Sequence, residues 1–216
     1  MPWTAALFAF LGNTLVRRAL ARRLAASLDR HQRRSFRRAL RRERQHLLQA
    51  DHDLVVDAPA RWHRDLTASV LAAHVALCSV GVPRSESLGR VEKALVDAVT
   101  SQTGYIRRSL DRSRDAFSML VGISRKKEVD YYGGAFRFER ARDDESSYDL
   151  RVHTCFFAAY FARHGAPELA SAFCEMDRAW TDAIDQQTHG VRFTRPTTLA
   201  RDGVPCRFLF ERTPPA

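Results

Sequence analysis

The chain has 216 residues, with 35 Lys+Arg against 25 Asp+Glu, and 45% of its residues are hydrophobic. That length fits one domain, or one domain with an arm, and the apolar content excludes wholesale disorder. No apolar run reaches the roughly 18 residues of a membrane span. The four cysteines are scattered, with no CxxC pair, which predicts reduced thiols in a cytoplasmic protein and not a disulfide scaffold.

The formal charge of +10 is unevenly placed. Residues 1–50 hold twelve Arg and two acids, Asp29 and Glu43, whereas the rest of the chain has 23 basic and 23 acidic side chains. The balanced body gives no electrostatic case for nucleic acid. In the basic segment Val16, Leu20, Leu24 and Leu28 recur every four residues, and Phe36, Leu40 and Leu47 continue the apolar side. Arg30, Arg33, Arg34, Arg37, Arg38 and Arg41 form the opposite stripe. Residues 1–58 therefore read as an amphipathic helical arm. Its arginines suit a solvated face, a membrane surface or protein partner, or nucleic-acid phosphates. Trp3, Leu7, Phe8, Phe10 and Leu11 would form an apolar tip.

Asp51–Pro59 is a polar break, which sets a second unit at 59–216. Trp62, Leu66, Val70, His74 and Leu77 share a helical face that Gly81 and Pro83 stop. Ser85 and Ser87 are candidate N-caps for a helix carrying Leu88, Val91, Leu95 and Val99. Gly104 marks a break, and Ile106, Leu110, Phe117, Leu120 and Val121 predict a third helix ending near Gly122.

The period then changes. Phe136 and Phe138, then Tyr148, Leu150 and Val152, alternate with polar residues, which predicts a hairpin with one apolar face. Thr154 is placed to cap a helix to about His164. The next helix carries Leu169, Phe173, Met176, Trp180 and Ile184 on its inner side. Alternation returns at Val191, Phe193 and Arg195, and again at Cys206, Phe208 and Phe210 after an Asp202-Gly203 turn. The expected fold is α+β: a helical N-terminal half, then an antiparallel sheet in β-β-α-α-β-β order.

Polar and sulfur side chains collect at the strand–helix junction. His153, Thr154 and Cys155 end the second hairpin strand. With Thr154 as cap, Cys155 would sit in the first helical turn, where unpaired amides and the helix dipole favour a thiolate. Cys174 and Asp177 share one helix face. A metal held by Cys155, Cys174, Cys206 and His153 is chemically conceivable, but the spacings match no standard zinc module, so no metal or cofactor is expected.

The stretch Val152-His153-Thr154-Cys155, Tyr160-Phe161, Gly165-Ala166-Pro167-Glu168-Leu169 and Phe173-Cys174-Glu175-Met176-Asp177 resembles the L-2-amino-thiazoline-4-carboxylic acid hydrolase family. Arg195-Pro196-Thr197-Thr198-Leu199-Ala200, Gly203, Cys206 and Phe208 continue the resemblance. The chain departs from it at His153, where the family often has Thr, at Arg207, where an acid is common, and in the Arg-rich arm.

The resemblance implies a small-molecule hydrolase that opens a cyclic amidine or imine at a non-peptide C–N bond, as part of a biosynthetic pathway. Such chemistry needs a nucleophile or activated water, an acid/base and an anchor for a carboxylate. Cys155 is the candidate nucleophile, and His153 or Asp177 the acid/base. Arg195 is the candidate carboxylate anchor, with Cys174 and Cys206 lining the site. Water directed by Asp177 is the other route. The competing reading is a noncatalytic ligand- or metal-binding accessory docked through the basic arm.

Overall fold

The computed structural model describes residues 3–213. Two long helices come first, α1 (Trp3–Ala26) and α2 (Arg30–Ala50). The side chains of the expected apolar tip, Trp3 to Leu11, lie outside the described residues. Asp29 starts α2: its carboxylate accepts from the Gln32 amide at 2.8 Å, and the Gln32 side chain accepts from the Asp29 amide at 3.3 Å. This reciprocal cap satisfies two amides that a helix start leaves free. Arg33 leaves the expected stripe and donates to the carbonyls of Ala25 and Leu28, closing the end of α1.

Helix α3 (Ala58–Ser79) starts at Asp57, which accepts from the Ala60 amide at 2.7 Å. Helix α4 (Arg84–Val99) follows Pro83 directly. Ser85 and Ser87 are therefore inside α4 and do not cap it; Ser87 is buried, with its hydroxyl 2.9 Å from Nδ1 of His74. The expected third helix is two helices, α5 (Thr103–Asp111) and α6 (Ala116–Lys127). The break falls before Asp115, which caps α6 by accepting from Ser118, so α6 runs through Gly122.

Strands β1 (Arg137–Asp143) and β2 (Ser147–Thr154) form the hairpin. Helices α7 (Phe156–Arg163) and α8 (Ala170–Met176) follow, then the single turns α9 (Arg178–Thr181) and α10 (Gln186–His189). Strand β3 (Val191–Thr194), the turn α11 (Leu199–Asp202) and strand β4 (Cys206–Arg212) complete the chain. The sheet order is β1-β2-β4-β3, antiparallel throughout. The α+β class and the strand pattern are as expected, except that the helix predicted from Leu169 to Ile184 is interrupted at Asp177.

Register sorts the two sheet faces. Tyr148 lies opposite Phe210, Leu150 opposite Phe208 and Val152 opposite Cys206, all on the inner face. Asp149, Arg151 and His153 take the outer face, where Arg207 pairs with Asp149 at 2.8 Å.

The apolar side of α1 and α2 is not a separate surface. Val16, Leu20, Leu24, Leu28, Phe36 and Leu47 are buried in the same core as Leu66, Val70, Leu77, Val91 and Leu95. The polar break at Asp51 is itself held down: Asp51 is 1% exposed and accepts from the Tyr160 hydroxyl at 2.8 Å and from Nε2 of His164 at 2.9 Å. Arg163 reaches Asp53 at 2.7 Å. We therefore expect residues 59–216 alone to lack the cooperative thermal transition of the full chain. Phe36→Ala should cost about 3–5 kcal/mol in denaturant unfolding. A fully cooperative 59–216 fragment would show that the core divides at the polar break after all.

Candidate active site

A cavity of about 230 Å³ opens between the inner face of the sheet and helices α6, α7 and α8. Its walls are mainly apolar: Phe136, Phe138, Leu150, Val152, Phe157, Phe173 and Phe208. Three charged residues line it, Lys127, Asp177 and Arg195, together with three thiols, Cys155, Cys174 and Cys206.

Asp177 sits at the break between α8 and α9, with its side chain 25% exposed toward the cavity. Both of its carboxylate oxygens are engaged. Trp180 Nε1 donates to Oδ1 at 3.0 Å, and Arg195 Nη1 donates to Oδ2 at 2.7 Å. Burial raises the Asp177 pKa above the usual carboxylate value, against the pull of Trp180, Arg195 and Lys127. Arg195 is fixed in turn: Nη2 donates to the Cys174 carbonyl at 3.0 Å, and the guanidinium lies 5.7 Å from the Phe208 ring centroid.

Thr154 ends β2 and caps nothing; Cys155 itself is the N-cap of α7. The amides of Ala158 and Phe157 favour its thiolate, as a helix start should, yet burial outweighs them and pushes the thiol up to about 12. The expected low-pKa thiol is thus reversed, because the apolar walls disfavour the anion more than two amides stabilise it. Burial also lifts Cys174 to about 11, against the field of Arg195. Cys206 is raised by burial, although its sulfur accepts from the Leu199 amide at 3.2 Å.

His153 is not in the cavity. Its Nε2 lies 2.6 Å from Glu139 on the outer sheet face, as alternation with the inward Val152 requires. The four-residue metal set considered from the sequence is therefore not brought together. Among the described residues no group of three His, Cys, Asp or Glu is arranged to hold a metal.

Sequence reasoning missed Lys127, Tyr132 and, as a site residue, Trp180. Lys127 ends α6 after a run that reads as a solvated basic helix end. It makes no ion pair or hydrogen bond among the described residues. The surrounding protein lowers its pKa, an effect that Asp177 opposes. A single π-helical turn, Glu128–Tyr132, then carries Tyr132 onto the cavity wall. The turn ends at Gly133, with φ 66°, where a Cβ would also collide with the Asp57 carboxylate. Asp57 accepts from the Gly134 amide at 2.7 Å. The Tyr-Tyr-Gly-Gly run was the available signal. Behind it His63 is fully buried, and its Nε2 lies 2.8 Å from the Tyr131 carbonyl, to which it donates.

A family model described as L-2-amino-thiazoline-4-carboxylic acid hydrolase matches residues 81–210. The chain belongs to this family. The match covers Lys127, all three cavity thiols, Asp177 and Arg195, so the site of this thiazoline carboxylic acid hydrolase-type fold lies inside the family's own segment. No curated protein and no solved structure matches the chain.

Two measurements check these electrostatics. Cys155 should alkylate at neutral pH on the order of 10²–10³-fold more slowly than a free cysteine, because the thiolate fraction falls about tenfold per unit of raised pKa. Labelling as fast as a free thiol would contradict the buried-thiol assignment. Burial also lowers the His63 pKa to about 4. The unfolded state then binds more protons than the folded one below about pH 6.5. Stability should fall as pH drops from 6.5 toward 4, by about 3 kcal/mol at most from this group. His63→Gln should flatten that slope in denaturant unfolding measured across the window.

Proposed function

We propose that the protein hydrolyses a carbon–nitrogen bond in a small cyclic amidine or imine that carries one carboxylate. The observation that carries this reading is the convergence of Cys155, Asp177, Arg195 and Lys127 on one small apolar cavity. Two basic side chains, Lys127 and Arg195, face the single acid Asp177, an imbalance that suits an anionic substrate. The cavity lies below the roughly 300–1,000 Å³ of sites for drug-sized ligands and suits a single ring.

Lys127 anchors the substrate carboxylate. Arg195, the anchor expected from the sequence, is already engaged with Asp177 and the Cys174 carbonyl, so its role is to orient Asp177. The ring's amidine carbon faces the Cys155 thiol. As sulfur attacks, the S–C bond forms, the thiol proton passes to nitrogen, and the Ala158 and Phe157 amides stabilise charge developing on sulfur. The tetrahedral adduct collapses when the ring nitrogen leaves as an amine, taking its proton from Asp177. A carboxyl whose pKa burial has raised is suited to that donation. Water then attacks the S-linked amidinium, giving one proton back to the Asp177 carboxylate; its second proton goes to sulfur as the C–S bond breaks, which releases Cys155 as a thiol with the carbamoyl product.

Steady-state kinetics and product analysis with a cyclic 2-amino-thiazoline carboxylate test this. Lys127→Met should raise KM about tenfold or more with kcat less affected, as loss of a charge-assisted contact predicts. Asp177→Asn should lower kcat about 10²–10⁴-fold. Cys155→Ala should abolish turnover while keeping the thermal transition. Substantial turnover in Cys155→Ala together with loss in Asp177→Asn would replace the thiol by water directed from Asp177. Release of a free thiol in place of a free amine would overturn the C–N assignment.

A further inference from the structure

A second concave site lies among the first three helices, outside the family-matched segment. It is a groove of about 390 Å³ between α1 and α2, over α3, lined by Arg17, Arg18, Arg41, Arg44, Thr14 and Ser69. Four arginines thus line one opening, and no acid lines it. Asp65 approaches from beneath, 3.8 Å from Arg17 and 3.7 Å from Arg44, but it also pairs with Arg64 at 3.2 Å. One carboxylate therefore serves three cations.

The groove is held in shape. Arg44 Nε donates to the Ser69 hydroxyl at 3.0 Å, and Arg17 Nη2 donates to the Thr14 hydroxyl at 3.1 Å. The Nε of Arg17 is sealed from solvent and has no acceptor. A buried, unpaired N–H on a charged group is costly. The neighbouring charges of Arg44 and Arg18 add to burial in lowering the Arg17 pKa. Arg18 and Arg41 are exposed and form no ion pair or hydrogen bond among the described residues. Folding has gathered like charges around a cavity and left Arg18, Arg41 and the Nε of Arg17 without acceptors among the described residues.

We propose that this groove is a binding site for a phosphate-bearing anion of the diphosphate class. The four guanidiniums exceed the charge of Asp65 by three, so a single carboxylate would leave most of the repulsion in place. A multiply charged oxyanion supplies the missing acceptors, and the planar forks of arginine match phosphate oxygens in pairs. The groove is separate from the Cys155–Asp177 cavity, so this site stands or falls independently of the proposed reaction.

The test uses the full chain and inorganic pyrophosphate in isothermal titration at about physiological ionic strength. The expected result is saturable one-to-one binding. Arg18→Ala should weaken it about tenfold, and Arg18→Ala/Arg41→Ala further, with the thermal transition unchanged because neither side chain holds the fold. Arg30→Ala/Arg34→Ala, outside the groove, should bind as the unchanged protein does. Vesicles containing a lipid with a diphosphate headgroup identify the source. Vesicle binding that pyrophosphate displaces assigns the groove to a lipid headgroup, and pyrophosphate binding without vesicle binding assigns it to a soluble phosphate. Absence of saturable pyrophosphate binding overturns the proposal. So does equal affinity in Arg18→Ala/Arg41→Ala, or binding only to an oligonucleotide that pyrophosphate does not displace.

Discussion

Helix α3 has to be covered on nearly every side. From Ala60 to Leu77 its buried positions include Leu66, Val70, Leu71 and Leu77 and a run of small residues, Ala68, Ala72, Ala73 and Ala76, which leaves no wide polar face. A helix apolar around most of its circumference is stable only inside other structure. Here α2 lies along one side, α1 and α4 along others, and α7 closes the remainder. The small residues let neighbouring backbones approach closely. Phe36 and Leu47 then fill the space between α2 and α3, each burial contributing about 1.5–3 kcal/mol before the cost of ordering. The basic helices are thus cladding that α3 requires. The same helix fixes the back of the cavity, because His63 on α3 holds the Tyr131 carbonyl and so places Tyr132.

The cavity's chemistry follows from its apolar walls. They disfavour every charge within reach: the thiols rise, the Asp177 carboxyl rises and the Lys127 ammonium falls. For the thiols and Asp177 the shift is the work of burial, and their partners, the Ala158 and Phe157 amides at Cys155 and Trp180 and Arg195 at Asp177, oppose it only in part. An ionic substrate changes the balance, because the low-polarity walls that penalise an isolated charge also strengthen attraction between opposite ones. A carboxylate beside Lys127 favours its ammonium, and a cationic amidinium beside Cys155 favours the thiolate. In the proposed reaction the substrate therefore brings the charges that activate its own site. This accounts for a cysteine that is protected when the cavity is empty.

Much of this was legible in the sequence where side-chain period alone decides. The alternation at Phe136–Phe138, Tyr148–Val152, Val191–Phe193 and Cys206–Phe210 located all four strands, because a half-buried antiparallel sheet imposes that period directly. It also carried a warning about His153, which must face away from Val152. Asp177, Arg195 and the three thiols were gathered by resemblance to a family, and the fold brings them to one cavity. What failed was reading that needed knowledge of partners. Phe36 and Leu47 sit among arginines, and the four-residue period shows that they share a face without showing what covers it. A one-residue difference at Thr154–Cys155 changes which side chain meets the helix start. Lys127 was hidden because it closes a basic run at the end of α6 that reads as a solvated helix end, and Tyr132 because it reaches the wall through a π-helical turn that no helical periodicity anticipates.

The placement of charge also changes meaning once α2 is seen as part of the core. On a flexible arm, arginines would sample many positions, and any anion would bear the entropic cost of gathering them. On α2 the buried Phe36 and Leu47 fix the helix axis and its rotation, so Arg41 and Arg44 are held against Arg17 and Arg18 of α1 before any ligand arrives. Repulsion among these like charges is sustained by apolar burial on the other side of the same helices. A core that holds α1 and α2 in place would therefore also preorganise the proposed anion site. A substitution that loosens Phe36 would weaken the groove without touching a single arginine.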